Sequence, residues 1–207
     1  MKKNRLMLVL AMLAVVTAVS AQVSLGVKGG VNMSNFYADE LDDKNVKIGF
    51  NVGLLADIDF SYNSAIQTGL FFTTKGAKYS SSIGSANADV TINPMYLQLP
   101  VHYAYKVDVT PGTRVVFHAG PYAAYGVGGK TKLSGSLGDY SGETEFDVFG
   151  DEGSLKRFDA GLGLGVGAEF GPILVDLGWD MGLVNISDSN DGEIKNQNAY
   201  LSVGYKF

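Results

Sequence analysis

The chain has 207 residues, with 16 basic and 21 acidic side chains, two histidines and no cysteine. An acidic chain without basic clusters argues against nucleic acid as a partner, and the lack of cysteine excludes a lipid-anchored cysteine and disulfide stapling. Its 27 glycines are about twice the usual share of roughly 7%, and the 11 Tyr and 11 Phe come without helix-period stripes.

Lys2, Lys3 and Arg5 form a positive start, Leu6 to Val16 an apolar run, and Val19-Ser20-Ala21 a small-residue cleavage site. Residues 1–21 are therefore expected to be a signal peptide removed before Gln22. The apolar run falls short of the ~20 residues that a membrane helix needs, and no later segment is longer. Without that segment, 13 basic residues face 21 acidic ones, a formal charge of −8. Residues 22–207 fit one domain. If this domain enters a membrane, it does so as strands.

Period-two alternation predicts eight strands at 23–33, 46–60, 65–75, 94–107, 113–127, 157–170, 173–184 and 197–207. In the second, Ile48, Phe50, Val52, Leu54, Ala56, Ile58 and Phe60 share one face. In the sixth, Phe158, Ala160, Leu162, Leu164, Val166, Ala168 and Phe170 oppose Asp159, Glu169 and the glycines Gly161, Gly163, Gly165 and Gly167. Strands of about 10 residues or more suit a tilted barrel crossing lipid. Short links at 61–64, 108–112 and 171–172 alternate with long polar ones at 34–45, 76–93, 128–156 and 185–196. This asymmetry predicts an all-β, eight-stranded antiparallel transmembrane β-barrel with short periplasmic turns and long external loops.

The two faces decide against a soluble lipocalin-like barrel, which would keep its apolar face inside. The apolar face carries Trp179, Phe117, Tyr103, Tyr105, Tyr125, Phe170 and Phe207. The other carries Lys28, Asp57, Asp59, Lys75, Lys106, Arg114, Asp159, Glu169, Asp176, Asp180 and Lys206. Charges at mid-strand are costly against lipid but can pair inside a barrel, so these eleven are expected to form a lumen polar network. Leu55, Phe71, Tyr96, Val116, Tyr122, Leu174 and Tyr200 point inward with them. Eight strands leave a lumen that side chains can fill, which predicts a plugged barrel rather than a pore. The glycine stripe is read as making room for inward Tyr and Phe rings, ahead of a groove for a ligand or for the inserted third loop, and it is not a phosphate loop.

His102 and His118 face inward on neighbouring strands, and a turn centred on Thr110 would set them directly opposite. At about 4.5–5.5 Å between Cβ atoms they could share a hydrogen bond or, with an acidic neighbour, a metal. The hydrogen-bonded pair is the preferred reading. No nucleophilic triad can be assembled, so neither a cofactor nor enzyme activity is expected. Asp39, Glu40, Asp42 and Asp43, with Asp139, Glu143, Glu145, Asp147, Asp151 and Glu152 against Lys130, Lys132 and Lys156, make the first and third loops acidic. They are read as solvated, mobile loops beside anionic lipopolysaccharide, over divalent-cation or protein binding. DSNDGE at 188–193 misses the spacing of a calcium loop and is read as a turn.

The final segment NAYLSVGYKF resembles the closing strand of bacterial outer-membrane barrels, in which the terminal aromatic residue is part of the assembly signal; here that would be Tyr205 and Phe207. The whole mature length resembles the PorT-like outer-membrane β-barrel family. The resemblance rests on GVKGGVNMSNF at 26–36, QTGLFFTTKGAKY at 67–79, MYLQLPVHYAYK at 95–106, HAGPYAAYG at 118–126, DAGLGLGVGAEF at 159–170 and YLSVGYKF at the end. It implies the outer membrane of a Gram-negative bacterium, contact with lipid and lipopolysaccharide, and recognition of the last strand by the barrel-assembly machinery. Through the founding member it also implies a link to a secretion apparatus. It carries no functional residue across. The expected function is structural, or presentation of external loops to a protein partner. The alternatives are a narrow solute channel and, third, a lipid-acting enzyme.

Overall fold

The computed structural model describes residues 22–37, 46–83, 86–137, 140–150, 153–188 and 192–207. The expected signal peptide, the acidic cluster at Asp39, Glu40, Asp42 and Asp43, and Asp139, Asp151 and Glu152 lie outside the described residues. So does the centre of the 188–193 segment. Among the described residues no helix is long and apolar enough to cross a membrane.

Among the described residues ten strands form, in chain order: β1 (Gln22–Tyr37), β2 (Lys47–Ser61), β3 (Ser64–Thr74), β4 (Ala77–Ile83), β5 (Ala86–Thr110), β6 (Thr113–Leu137), β7 (Tyr140–Asp147), β8 (Phe158–Phe170), β9 (Ile173–Gly182) and β10 (Lys195–Lys206). Eight of them close a ring in the order β1-β2-β3-β5-β6-β8-β9-β10, with every pairing antiparallel. Closure joins β1 to β10, Val27 opposite Tyr205 and Met33 opposite Ala199. A ring leaves no edge whose backbone N–H and C=O groups would meet hydrocarbon unpaired.

Six of the ring strands begin and end close to their expected limits, because side chains alternate along them, whereas β5 begins well before and β6 ends well after the expected limit. In β9 exposure alternates residue by residue, Ile173, Val175, Leu177, Trp179 and Met181 outward against Leu174, Asp176, Gly178, Asp180 and Gly182 inward. The outward set of all eight strands forms an apolar belt. Phe60, Tyr62, Tyr105, Phe170, Tyr205 and Phe207 ring its turn-side rim, and Tyr37, Tyr125 and Phe158 lie near the opposite rim. Such aromatic girdles belong at the two interfaces of a bilayer.

Three tight connections join β2 to β3, β5 to β6 and β8 to β9. The last turns at Gly171, whose φ of 58° admits glycine far better than other residues. The β5–β6 turn sits at Pro111-Gly112, with a register irregularity between Asp108 and Thr110, not on Thr110 as expected. Ala104, rather than His102, is therefore opposite His118.

The second and third long connections also differ from expectation. They are not loose polar loops: β5 and β6 each run 25 residues, and their outer halves pair with β4 and β7. A four-stranded arm results, in the order β4-β5-β6-β7. Ala86 to Asn93 carry it roughly 25 Å past the ring at about 3.3 Å per residue. Asn93-Pro94 and Gly128-Gly129 look like strand breakers in sequence. In the fold they flank a bulge, Met95 opposite Gly128 but Tyr96 opposite Gly126, and the ladder resumes beyond it. Bulges are where a strand tolerates proline.

Candidate functional site

The inward face has three levels. At the turn end, charges from five strands interlock. Lys106 Nζ donates to Asp57 at 3.0 Å and to Asp59 at 2.7 Å. Lys206 bonds both Asp57 and Glu169, and Arg114 lies 2.8 Å from Glu169. Asp59, Lys106, Asp57, Lys206, Glu169 and Arg114 thus form one alternating chain of three acids and three bases across the floor. Lys106 and Asp57 are both 1% exposed. Above them pack Leu55, Phe71 and Leu174, and beside them Ala65, Ala104 and Val116.

The middle level holds a linear relay. Lys28 Nζ donates to Asp176 Oδ2 at 2.8 Å, His118 Nε2 lies 2.8 Å from Asp176 Oδ1, and His118 Nδ1 lies 3.0 Å from His102 Nδ1. The imidazoles stack with centroids 5.2 Å apart. The histidines meet diagonally instead of head-on, which the reach of the two rings allows. Lys28 also sits 5.1 Å from the Phe71 ring centroid and 5.3 Å from that of Tyr200. Asn32, Asn51, Thr73 and Ser202 form a second polar chain across β10, β1, β2 and β3. These uncharged members, and Gln98, were legible only from parity, since nothing in their spacing marks them.

The glycine stripe on β8 serves different rings from those expected. Cβ atoms at Gly163 and Gly165 would meet His102 and His118, not Tyr or Phe. The aromatic rings are accommodated elsewhere: Tyr200 over Gly178, Phe71 over Gly53 and Gly69, and Phe149 over Gly126. The missing side chains face imidazoles because the pairing of β6 with β8 puts Gly165 opposite His118.

At the external end, Lys75 and Asp159 are a fully buried pair 3.2 Å apart. Lys75 Nζ lies 4.3 Å from the Tyr122 ring centroid, and Asn196 Nδ2 donates to Asp159 at 2.9 Å. Over this pair the segment after β7 folds back. Val148, Phe149 and Leu155 pack with Phe36, Tyr96, Tyr122 and Ile186 in the largest buried apolar cluster. Phe149 meets the Tyr96 ring edge-on at 5.7 Å, and the Arg157 guanidinium lies 5.3 Å from the Phe149 ring centroid. Backbone bonds hold this cover to the loop before β10: Lys156 N donates to Ile186 O at 2.8 Å and Asp188 N to Ser154 O at 3.0 Å. Val148-Phe149, an apolar pair inside an acidic stretch, was the available signal.

Between floor and cover lies a cavity of about 70 Å³ lined by Lys28, Gln98, His102, His118, Asp176 and Asp180 among others. It has room for several water molecules. Among the described residues no three His, Cys, Asp or Glu side chains converge on one metal position. His118 has spent both ring nitrogens, on Asp176 and on His102, so the two histidines cannot chelate one ion together. All eleven charged residues assigned to the lumen lie on this inward face, and all but Asp180 form an ion pair. Tyr205 and Phe207 are outward, their rings 6.1 Å apart, and Phe207 N donates to Leu25 O at 2.8 Å.

On the arm, the exposed pairs Lys130–Glu145 at 2.7 Å and Lys132–Glu143 at 3.2 Å link β6 to β7, and Lys132 also contacts Glu145. Hydrogen bonds from Lys130 and Lys132 hold the Glu145 carboxyl down to about 2.

No curated protein matches the chain. Among solved structures it is similar to Ail, the attachment invasion locus protein of Yersinia pestis, in complex with the heparin analogue sucrose octasulfate. That match has 16% identity over 90% of this chain and 99% of that chain, with a TM-score of 0.45. It is also similar to Neisserial surface protein A, at 12% identity over 90% and 99% with a TM-score of 0.46. A major outer membrane protein from Thermus thermophilus is similar at 13% identity over 89% and 99%, with a TM-score of 0.45. A family model described as outer membrane protein beta-barrel domain matches residues 18–188. With its closed antiparallel ring, apolar belt and charged interior, the chain belongs to the outer membrane protein beta-barrel family and resides in the Gram-negative outer membrane.

Proposed function

We propose that this protein is a non-enzymatic outer-membrane barrel of the PorT-like kind with a plugged lumen, working as a structural element or through its external surface. The observation that carries this reading is that side chains fill both ends of the lumen. Alternating ion pairs cross the floor, and the Val148–Phe149 cover packs across the external end. A hydrated ion would have to displace buried, paired charges to pass, and the cost of breaking one such pair is about 3–5 kcal/mol.

The working surface is then the arm built from β4 to β7, because recognition concentrates on segments that a rigid scaffold holds out. Its partners are lipid and lipopolysaccharide at the membrane surface and a protein at the external loops, within a secretion or surface assembly. The last strand, ending at Tyr205 and Phe207, addresses the barrel-assembly machinery. Nucleic acid is not a partner.

Planar-bilayer recording of the purified protein tests the plug: no steady unit currents are expected, and regular conductance steps would establish the channel reading instead. Crosslinking in intact membranes from cysteines introduced on the exposed arm tests the surface role. A reproducible partner that disappears when β4 and β7 are deleted is the expected result.

A further inference from the structure

Of the eleven charged residues assigned to the lumen, six are acids and five are bases, and the acid without an ion pair can be located. Five of the six carboxylates are ion-paired. The sixth, Asp180, is 2% exposed and has only the Gln98 amide as a donor, at 2.9 Å to Oδ2. Its Oδ1 has no partner. Other buried atoms are likewise without a hydrogen-bond partner, among them Gln98 Oε1 and His102 Nε2. Gln98 and His102 are 8% and 5% exposed, and all three residues line the same cavity.

The relay fixes what His102 Nε2 offers. Asp176, already bonded by Lys28, accepts from His118 Nε2, and a neutral His118 then presents a lone pair at Nδ1. His102 must then donate from Nδ1, which leaves its Nε2 as a bare lone pair. A carboxylate oxygen, an amide oxygen and an imidazole nitrogen are all acceptors. With Asp180 ionised none can satisfy another, and burying them without a donor or a cation is costly.

Strand pairing brings them together. Gly120 is opposite Gly163, and Gly163 is opposite Asp180. A Cβ on Gly120 would lie 2.8 Å from His102 Cα. Two glycines therefore separate His102 from Asp180 across the sheet, and both side chains lean over them. Asp180 Oδ1 and His102 Nε2 each lie 2.8 Å from the place a Cβ on Gly163 would occupy. They are thus no more than twice that distance apart, so at most a modest closing of the two side chains is needed for both to reach an ion at about 2.0–2.2 Å.

We propose that the lumen binds one divalent transition-metal cation through His102 Nε2, Asp180 Oδ1 and Gln98 Oε1, with water from the cavity completing its shell. An imidazole beside a carboxylate suits zinc-like ions better than calcium or magnesium. The ion supplies the direct partner that Asp180 Oδ1 lacks. His118 and Asp176 orient and polarise the His102 ligand from behind, as carboxylate–histidine pairs do at metal sites.

The test uses the tag-free mature chain refolded in detergent and titrated with Zn²⁺ by calorimetry. With only two histidines and no cysteine in the sequence, background imidazole or thiolate sites are absent. One zinc per barrel is expected. Folded His102→Gln and Asp180→Asn should each bind more than about tenfold weaker, since the loss even of an outer-shell partner costs about 10–100-fold. Nitrogen NMR of the wild type needs no variant: zinc should shift His102 Nε2 and leave His118 Nε2 bonded to Asp176. The proposal is overturned if the wild type binds no zinc, if folded Asp180→Asn binds it equally well, or if His118 Nε2 is the nitrogen that takes the metal.

Discussion

The two ends of the lumen are closed by opposite chemistries. The floor is made of strand residues and is ionic: three acids and three bases in one chain, drawn from β2, β5, β6, β8 and β10. The cover is made of connecting segments and is apolar, with Phe149 set against both Tyr96 and Arg157. The difference follows from how each end is assembled. Strand side chains are aimed inward by parity and cannot withdraw, so charges there must be matched with one another. A cover made by connecting segments can pack only as well as its apolar contacts allow, and it can open as a local unit.

Breaking the floor should cost most. Lys106→Met leaves Asp57 and Asp59 without their shared cation, and urea unfolding in micelles should show a loss of about 3 kcal/mol or more. An unchanged midpoint would mean that the ionic chain contributes nothing to stability.

Breaking the cover should cost less and stay local. Phe149→Ala should remove about 2–3 kcal/mol from the protection of the 148–150 and 153–155 amides in hydrogen exchange. Protection in β8 and β9 should not change. Equal loss throughout the barrel would show that cover and ring unfold together.

Asp180 sharpens the contrast from the other side, as the lumen carboxylate without an ion pair among the described residues. In metal-free buffer, Asp180→Asn should stabilise the barrel by about 1 kcal/mol by removing a buried charge with an unpartnered oxygen. Destabilisation would mean that the carboxylate is satisfied within the lumen.

The smallest effect concerns the exposed arm. The Glu145 carboxyl is lowered from 4.5 to about 2, chiefly by hydrogen bonds from Lys130 and Lys132. Its contribution to β6–β7 pairing is fully present above pH 4.5 and lost as pH falls toward 2. Amide exchange at residues 140–147 should therefore rise over that window in wild type and stay flatter in Glu145→Gln. Because the group is exposed, the difference should be slight.

Particular residues show where sequence reasoning reached and where it stopped. The inward placement of Lys28, Asp57, Asp176 and the two histidines was legible because a strand has only two faces. The histidine contact was legible too, but its register was not: an irregularity between Asp108 and Thr110 shifts the pairing, and no local pattern announces it. The arm was missed because Pro94 and Gly128-Gly129 read as terminators, whereas the bulge beside them lets the ladder continue. The cover was missed because Val148 and Phe149 find their partners on β1, β5, β6 and the loop before β10.

The sequence by itself determined the number of ring strands, the short and long connections, and the face each side chain takes. The reason is that period two is a local property of extended backbone. Which inward residues touch was decided only by the tertiary structure. Ring closure, turn register and the fold-back after β7 set distances between strands that are remote in sequence. That geometry leaves Asp180 Oδ1, Gln98 Oε1 and His102 Nε2 without hydrogen-bond partners on the cavity wall.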